Sequence, residues 1–557
     1  MKMNGGRIVV ESLRKENVDT LFCYPGGVLI PLFDELYLNG DGLHLVQPRH
    51  EQGGTHAADA YARTTGKPGV VLVTSGPGAT NTVTGITNAY MDSTPMVIIT
   101  GQVSSKLVGT DAFQEADITG ISMPITKENM LVKNITDLTD TLKRAFHIAT
   151  TGRPGPVLVD ITTNVFREEI DFEYPDNLEI ESYRPVSKGH PKQIAKALDL
   201  MSKAEKPLFL IGGGVQLSNS TELATQIIDK FKIPYVYTLM GHGVNSKNPD
   251  LNIGNLGMHG TMYGNWSIQN CDLLIALGTR FSDRILGDTV SFAPNAKKIH
   301  VDIDPAEIGK NVPIDIPIVG DLAHVLSKMI KTDKNMPDFS NWIKELKEKK
   351  SSNLLSYTQG KDIKPQFVMD AVKNIFPKDL IVVTDVGQHQ MWCHQYFDYV
   401  KPRSFITSGG LGTMGFGVPA SFGAKLGQPD KEVVLFAGDG GFQMTFQELI
   451  TIKREQLAVK IIVLDNGYLG MVRQWQDLFF EKRYAETTLK GNPDFAALAT
   501  VFGIKSKRVT SKDQVNDAIK ELAESKEAML LHVLTEKETN VFPMVPAGKS
   551  LDDTMEG

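Results

Sequence analysis

The sequence predicts an α/β protein of three doubly wound parallel-sheet domains, and three observations lead there. Short runs rich in Val and Ile recur along the chain, each stopping at Gly, Pro or Asp and followed by a helical pattern, as strands covered on both faces do. The runs fall into three groups, parted by one acidic, turn-rich stretch and one Lys-rich stretch. The 557 residues suffice for about three to four domains at roughly 150 residues each.

The first group places strands at Thr20–Tyr24, Leu43–Gln47, Val70–Thr74, Met96–Thr100 and Val157–Ile161. The stretch from Arg167 to His190, with EEIDFEYPDNLEIESYRP, reads as a linker. The second group has strands at Leu208–Ile211, Leu273–Leu277, Ile299–Ile303 and Pro317–Val319. Trp342–Lys350 and the SSNLLSYTQGKDIKP after it read as the second linker. The third group has strands at Ile381–Thr384, Val433–Phe436, Ile461–Leu464 and Leu530–Leu534. The expected domains are therefore 1–166, 188–335 and 360–540, with 541–557 as a carboxyl-terminal tail. The first and third groups share a rhythm of strand, Gly-rich turn and helix, without a sequence repeat strong enough to prove duplication.

Composition excludes several function classes. Lys and Arg total 58 against 65 Asp and Glu, a net charge of −7, and no basic block is long enough to track phosphates. A nucleic-acid partner is not expected. Cys23, Cys271 and Cys393 stand too far apart in sequence for a disulfide framework or a CxxC knuckle, which suits a reducing compartment. No apolar run approaches the roughly 18 residues of a membrane span, and the first residues show no targeting pattern. The expectation is a cytoplasmic protein without a membrane partner.

In open parallel sheets ligands bind beyond the carboxyl ends of strands, so the residues following each apolar run carry the information. After VVLFA come Gly438, Asp439, Gly440 and Gly441; 27 positions after Asp439, the strand IIVLD ends at Asn466, Gly467 and Tyr468. That interval is one strand–helix–strand crossover, so both side-chain oxygens are expected at neighbouring strand ends. Mg²⁺ takes oxygen ligands and commonly keeps a diphosphate among them, which fits Asp439, the Asn466 amide and a main-chain carbonyl near Tyr468. Alone, an Asp-Gly turn after a strand is ordinary loop chemistry; the Asn at this spacing makes it more. Pro48-Arg49-His50-Glu51-Gln52-Gly53-Gly54 follows the strand LHLVQ and opens a helix, where Glu51 has either a chemical role or only a favourable place at the helix dipole. The turns Tyr24–Gly27, Ser75–Asn81 and Ser408–Gly415 also follow strands and are rich in Gly, which lets backbone approach a ligand. Four such turns in two domains imply an extended cofactor at their junction.

Together these residues resemble the thiamine-diphosphate enzymes, and within them the acetohydroxyacid (acetolactate) synthase family. The match runs from about Gly5 to Gly557 through GTDAFQE (109–115), ITKEN (125–129), GRPGPVLVDI (152–161), GMHGT (257–261), DIDPAEIGKN (302–311), SGGLGTMGFG (408–417) and GMVRQW (470–475). The resemblance implies a pyrimidine-binding, a central FAD-binding and a diphosphate-binding domain. It also implies thiamine diphosphate, Mg²⁺ and FAD as cofactors, and active sites between two chains of a homodimer or dimer of dimers. The implied reaction decarboxylates pyruvate on thiamine diphosphate and passes the hydroxyethyl group to pyruvate or 2-ketobutyrate, in branched-chain amino acid biosynthesis. A separate regulatory small subunit belongs to the same picture.

Site residues carry over by the same resemblance. Glu51 is the carboxylate that shuttles a proton with the aminopyrimidine; Gly27, Gln114, Lys127 and Met414 join it as catalytic positions, Met414 supporting the bent cofactor. Cofactor contacts are implied at Ser93, Gln388, His389, Gly412, Gly440, Gly441 and Met471. FAD contacts are implied at Arg153, Gly213, Gly214, Thr238, Leu239, Met240, Gly257, Met258, His259, Gly278, Arg280, Asp302, Ile303, Asp321 and Leu322. Arg284 would meet the acceptor's carboxylate, with Phe113 and Trp475 shaping its pocket; Asp439, Asn466 and Tyr468 would hold the metal. Each has a plainer alternative: core filler for Met414, Met471, Phe113 and Trp475, a helix-capping pair for Gln388 and His389, and an ion pair with Asp283 for Arg284.

The chain departs from the family at Asp465, where Asn is common, at Thr162-Thr163 in place of Pro-Lys, and at Ser104 in place of Pro. An FAD-using pyruvate oxidase and a fermentative acetolactate synthase are the competing readings. A cofactor-binding protein without chemistry is disfavoured because Glu51, Asp439 and Asn466 are all present.

Overall fold

The computed structural model describes residues 1–178 and 180–557; Glu179, within the first linker stretch, lies outside the described residues. Three six-stranded sheets, parallel throughout, organise the chain. The amino-terminal sheet runs His44–Val46, Thr20–Tyr24, Gly69–Val73, Met96–Gln102, Pro156–Thr162, Glu128–Val132. The carboxyl-terminal sheet runs Phe405–Ile406, Ile381–Thr384, Val433–Gly438, Val459–Asp465, Met529–Leu534, Lys505–Val509. Numbered within each domain, both have the strand order 2-1-3-4-6-5, which gives the shared rhythm of the two sequence groups a structural counterpart. The central sheet runs Asn252–Asn255, Tyr235–Tyr237, Pro207–Ile211, Leu273–Leu277, Lys297–Asp302, Ile316–Val319. Its order is 3-2-1-4-5-6, that of dinucleotide-binding folds.

The apolar runs are strands because each is buried on both faces: Val70–Val73, Ile98, Ile99, Leu208–Ile211 and Val433–Phe436 are almost fully buried. The strands that the sequence pattern misses are mostly at edges, namely Glu128–Val132, Asn252–Asn255, Phe405–Ile406 and Lys505–Val509. Edge strands are short or polar and lose the apolar signature. Tyr235–Tyr237 is internal but only three residues long. The first linker stretch contributes Glu169–Asp171, which pairs antiparallel with Lys2–Asn4.

Trp342–Lys350 is a correction. It lies inside the helix Ser340–Ser351, and Lys344 and Lys347 mark that helix's solvent face rather than a linker. Trp342 is buried, its indole N–H donating to Pro207 O at 3.1 Å and its ring 5.9 Å from that of Trp266.

The amino- and carboxyl-terminal domains share a core. Helices Glu51–Thr65 and Gly417–Gly427 approach so closely that a Cβ at Gly423 would stand 2.0 Å from Ala57 O. Ala58 packs on the strand side against Gly69, where a Cβ would stand 3.1 Å from its own, while Ala57 lies at this crossing. Phe22, Tyr61, Phe416 and Phe422 fill its flanks. Among the described residues no helix is long and apolar enough to cross a membrane.

Candidate active site

Each sheet opens where its strand order reverses, and the turns there are the ones the sequence singles out. In the central sheet Gly212–Gly214 follow the first strand and Gly278 the fourth; a Cβ on Gly214 would lie 2.7 Å from Gly278 Cα. In the carboxyl-terminal sheet, Asp385–Gly387 and Gly438–Asp439 follow neighbouring strands, and His389 packs where side chains on Gly387 or Gly438 would stand. In the amino-terminal sheet Gly26 lies so close to Thr74 that a Cβ would be 2.3 Å from Thr74 Oγ1.

One cavity of about 1140 Å³ joins the central and carboxyl-terminal openings. Such a volume exceeds the roughly 300–1,000 Å³ of a site for one small ligand and suits two extended groups. It is lined by Met414, Gln388, His389, Gly412, Asp439, Gly440, Gly441, Asn466, Tyr468, Met471 and Trp475 on one side. On the other stand Ser93, Arg153, Gly213, Gly214, Thr238, Leu239, Met240, Met258, His259, Gly278, Arg280, Arg284, Asp302, Ile303, Asp321 and Leu322. Gly257 stands behind this wall, with φ +110° and room for no Cβ against Arg284 O. Gly27, Glu51, Phe113, Gln114 and Lys127 do not line the cavity.

Asp439 and Asn466 do emerge at adjacent strand ends, Gly438 pairing with Leu464 in the parallel register. Asp439 Oδ2 accepts Gly467 N–H at 3.0 Å and Asn492 Nδ2 at 2.7 Å. Asn466 Oδ1 accepts Tyr468 N–H at 3.0 Å, shaping the turn. Burial, and then the neighbouring Asp465 carboxylate, push the Asp439 carboxyl well above the usual carboxylate range. The buried Asp439 carboxylate, facing the cavity with a second carboxylate beside it, is what a divalent cation would relieve.

Glu51 is the first residue of its helix, 9% exposed, and its Oε2 accepts Asn81 Nδ2 at 2.9 Å. It has both the dipole position and a hydrogen-bonded, water-poor setting. The turn before it is held from the other domain: Glu448, fully buried, accepts Arg49 N–H at 2.9 Å and His50 N–H at 3.1 Å. Gln114 has φ +60° and its backbone lies against Gly76, while Phe113 is 88% exposed beside it.

The Ser408–Gly417 turn is fixed from below. Asp385 accepts Val386 N–H at 2.7 Å, Gly415 N–H at 3.0 Å and Gly417 N–H at 2.9 Å, so Met414 projects from a clamped backbone. Gly409 and Gly410 are tightly packed, a Cβ on Gly410 falling 2.8 Å from Asp92 Oδ1 and 2.9 Å from Met91 Cβ.

Arg284 is 63% exposed, with Nη1 3.2 Å from Met258 Sδ. Its ion pair with Asp283 exists but is 3.6 Å long and open to solvent, so it contributes little and leaves the guanidinium available. Trp475 is half-buried, its ring 5.1 Å from that of Phe479. Arg153 bridges domains, contacting Ser93 Oγ at 2.8 Å and Glu307 Oε1 at 2.7 Å. Lys127 is occupied elsewhere: its ammonium binds Ile148 O, Thr151 O at 2.8 Å and Tyr183 Oη at 3.0 Å, closing a helix end. Burial, then Arg153, lower its pKa to about 8. Asp321 caps the helix Leu322–Met329 through Ala323 N–H at 2.9 Å, the plainer of its two roles, while also facing the cavity.

Three residues that matter for this geometry escape the sequence reading. Asp385 follows a strand and would have been found by applying the strand-end rule throughout. Glu448, an acid amid FQMTFQELITI, carries only the weak signal of a charge in an apolar stretch. Asn492 has none.

The residues fit the implied cofactors. His389 Nε2 is buried without a partner, and burial holds its pKa down to about 4, so the ring is a neutral polar group waiting in the cavity wall. Gly440, Gly441, Gly213 and Gly214 line the cavity at helix-opening turns, where backbone N–H groups could meet phosphate oxygens. His259 Nε2, also buried and unpartnered, stands in the wall of the central half.

Comparison with known proteins places most of the chain in matched families. Residues 3–121 match the family described as "Thiamine pyrophosphate enzyme, N-terminal TPP binding domain", residues 194–329 its central domain and residues 385–533 its C-terminal TPP binding domain. The chain is similar to the acetolactate synthase large subunit of Corynebacterium glutamicum, 46% identical with 99% of this chain and 90% of that protein covered. It is 44% identical to the acetolactate synthase isozyme 2 large subunit of Escherichia coli K12, with 100% of both chains covered. It is 45% identical to a probable acetolactate synthase large subunit of Methanocaldococcus jannaschii, covering 100% of this chain and 95% of that one. The chain belongs to the acetolactate synthase large-subunit family of thiamine-pyrophosphate enzymes.

Proposed function

We propose that this protein releases CO₂ from pyruvate and joins the remaining two-carbon unit to a second pyruvate or to 2-ketobutyrate, giving 2-acetolactate or 2-aceto-2-hydroxybutyrate. The observation that carries the reading is the single cavity that joins the Asp439–Asn466 turn and Met414 to Arg284 and the central glycine turns. Bound thiamine diphosphate supplies the electron sink that decarboxylation of a 2-keto acid requires. Asp439, Asn466 and the Tyr468 carbonyl would hold the Mg²⁺ that such a diphosphate requires. Glu51 moves a proton at the aminopyrimidine ring, its carboxylate oriented by Asn81. Met414 would support the cofactor from the cavity wall, and Arg284 offers a planar pair of donors to the acceptor's carboxylate. The central half of the cavity would hold FAD as a structural group, since the reaction transfers no net electrons.

Glu51, Gly27, Phe113 and Gln114 lie outside the cavity of their own chain, so the reading includes a homodimer, alone or paired into a dimer of dimers, in which they complete the partner's site. Apolar exposure on both faces supports this: Phe113 is 88% and Met123 69% exposed on one, Met444 54% and Val472 49% on the other. Relatives carry the name large subunit, and a separate regulatory small subunit is the partner proposed here too. A cytoplasmic location completes the reading; Cys23, Cys271 and Cys393 are all buried and unpaired.

Incubating the purified protein with pyruvate, Mg²⁺ and thiamine diphosphate, with and without FAD, tests the proposal. Acetolactate and CO₂ are expected, without oxygen or quinone reduction. Pyruvate-dependent reduction of an electron acceptor in place of acetolactate would make it an oxidase.

A further inference from the structure

Asp465 stands beside Asn466 in the metal turn, and the structure shows what occupies its charge. Its Oδ1 accepts Gly467 N–H at 3.0 Å and Asn492 Nδ2 at 3.1 Å; its Oδ2 lies 2.9 Å from His532 Nε2, which must be the donor because a carboxylate only accepts. Both oxygens are therefore engaged, Oδ1 by donors it shares with Asp439, and Asp465 is not among the cavity-lining residues. Asn492 spends its second amide hydrogen on Asp439 Oδ2 at 2.7 Å, and its own oxygen accepts Gln443 Nε2 at 3.0 Å. Gly467 N–H is likewise shared by the two carboxylates, which leaves Asp439 Oδ1 as the oxygen free for a cation. His532 is buried on the neighbouring strand Met529–Leu534, with Nδ1 3.3 Å from Asp494 Oδ1 and its ring 5.0 Å from that of Phe495.

We propose that Asn492 and the Asp465–His532 pair are the positioning set of the metal turn: Asn492 holds Asp439 in its metal-facing rotamer, and His532 keeps the second carboxylate turned away from the ion. The proposal rests on the reading of Asp439 and Asn466 as the residues that face Mg²⁺. A neutral Asn at 465 would need no such donor, whereas the Asp of this chain has the buried His532 opposite it. Groups that orient a metal ligand from outside the coordination sphere typically change metal affinity by about 10–100-fold when removed.

The test measures binding without turnover: equilibrium dialysis of thiamine diphosphate against the full-length protein over a range of Mg²⁺ concentrations. Asn492→Leu is expected to raise the Mg²⁺ needed for half-saturation by about 10–100-fold, with unfolding temperature in Mg²⁺-free buffer unchanged. If that variant does not fold, Asn492→Ser, too short to bridge both carboxylates, carries the same expectation. His532→Leu is expected to shift the requirement in the same direction, His532→Gln to restore most of it by keeping a donor, and Asp465→Asn combined with His532→Leu to return it toward wild type. An unchanged or lower Mg²⁺ requirement in the Asn492 variant, or a double variant as impaired as His532→Leu, overturns the assignment. Asp439→Asn is the control: if it too leaves the requirement unchanged, the metal reading itself fails and the proposal falls with it.

Discussion

Glu51→Gln is expected to reduce turnover by about 10²–10⁴-fold, the usual effect of removing a general acid–base group. The substitution is nearly isosteric. Glu51 opens its helix under a turn that Glu448 clamps from the other domain, and a Gln oxygen still accepts Asn81 Nδ2 where Oε2 does so now at 2.9 Å. What is lost is the capacity to exchange a proton with the bound cofactor, so thiamine diphosphate affinity should stay near wild type while the chemical step slows. Equal turnover in the two proteins removes Glu51 from the mechanism. A loss of cofactor affinity matching the loss of rate assigns it to binding instead.

Trp475→Leu is expected to change which product is made rather than whether product is made. The helix Gly470–Phe479 is anchored at Gln474, which accepts Val541 N–H at 2.8 Å and donates to Val541 O at 3.0 Å, so the indole beside it presents a fixed wall to the cavity. A 2-ketobutyrate acceptor differs from pyruvate by one methylene, and one methylene in an apolar pocket is worth about 1–3 kcal/mol, or roughly 10–200-fold in selectivity. With both keto acids present, wild type should favour the longer product, and the Leu variant should lose most of that preference while still forming acetolactate. A wild-type product ratio that merely follows substrate concentrations, or a Leu ratio equal to wild type, excludes Trp475 from the acceptor pocket.

What the sequence made legible, and what it hid, divides along physical lines. Inner strands announce themselves because burial on both faces demands continuous apolar residues, as in Val433–Phe436; the edge strand Lys505–Val509, half in water, does not. The Asp439–Asn466 pair could be read because one crossover fixes the spacing between neighbouring strand ends. Glu448 and Asn492 could not, because each acts across a long sequence separation: Glu448 reaches a turn in another domain, and Asn492 lies in a segment without periodicity. Trp342–Lys350 misled for the opposite reason, since the exposed lysines of a helix on the central domain outweighed the single buried indole. Lys127 shows the limit of a motif: the residue matches, yet its ammonium is spent on carbonyls at the end of Leu138–Thr150.

The central claim is that each active site is shared, Glu51 from one chain working on a cofactor held by Asp439 and Asn466 of the other. Co-expressing Glu51→Gln chains and Asp439→Ala chains under separate affinity tags, and assaying acetolactate formation by the doubly tagged dimers, tests it most directly. Each mixed dimer would contain one site with both native residues and one with neither, so the doubly tagged dimers should recover about half of wild-type activity per dimer, and an unsorted random mixture about a quarter. Mixed dimers no more active than either parent variant would contradict the account, because that is the result for a site completed within a single chain.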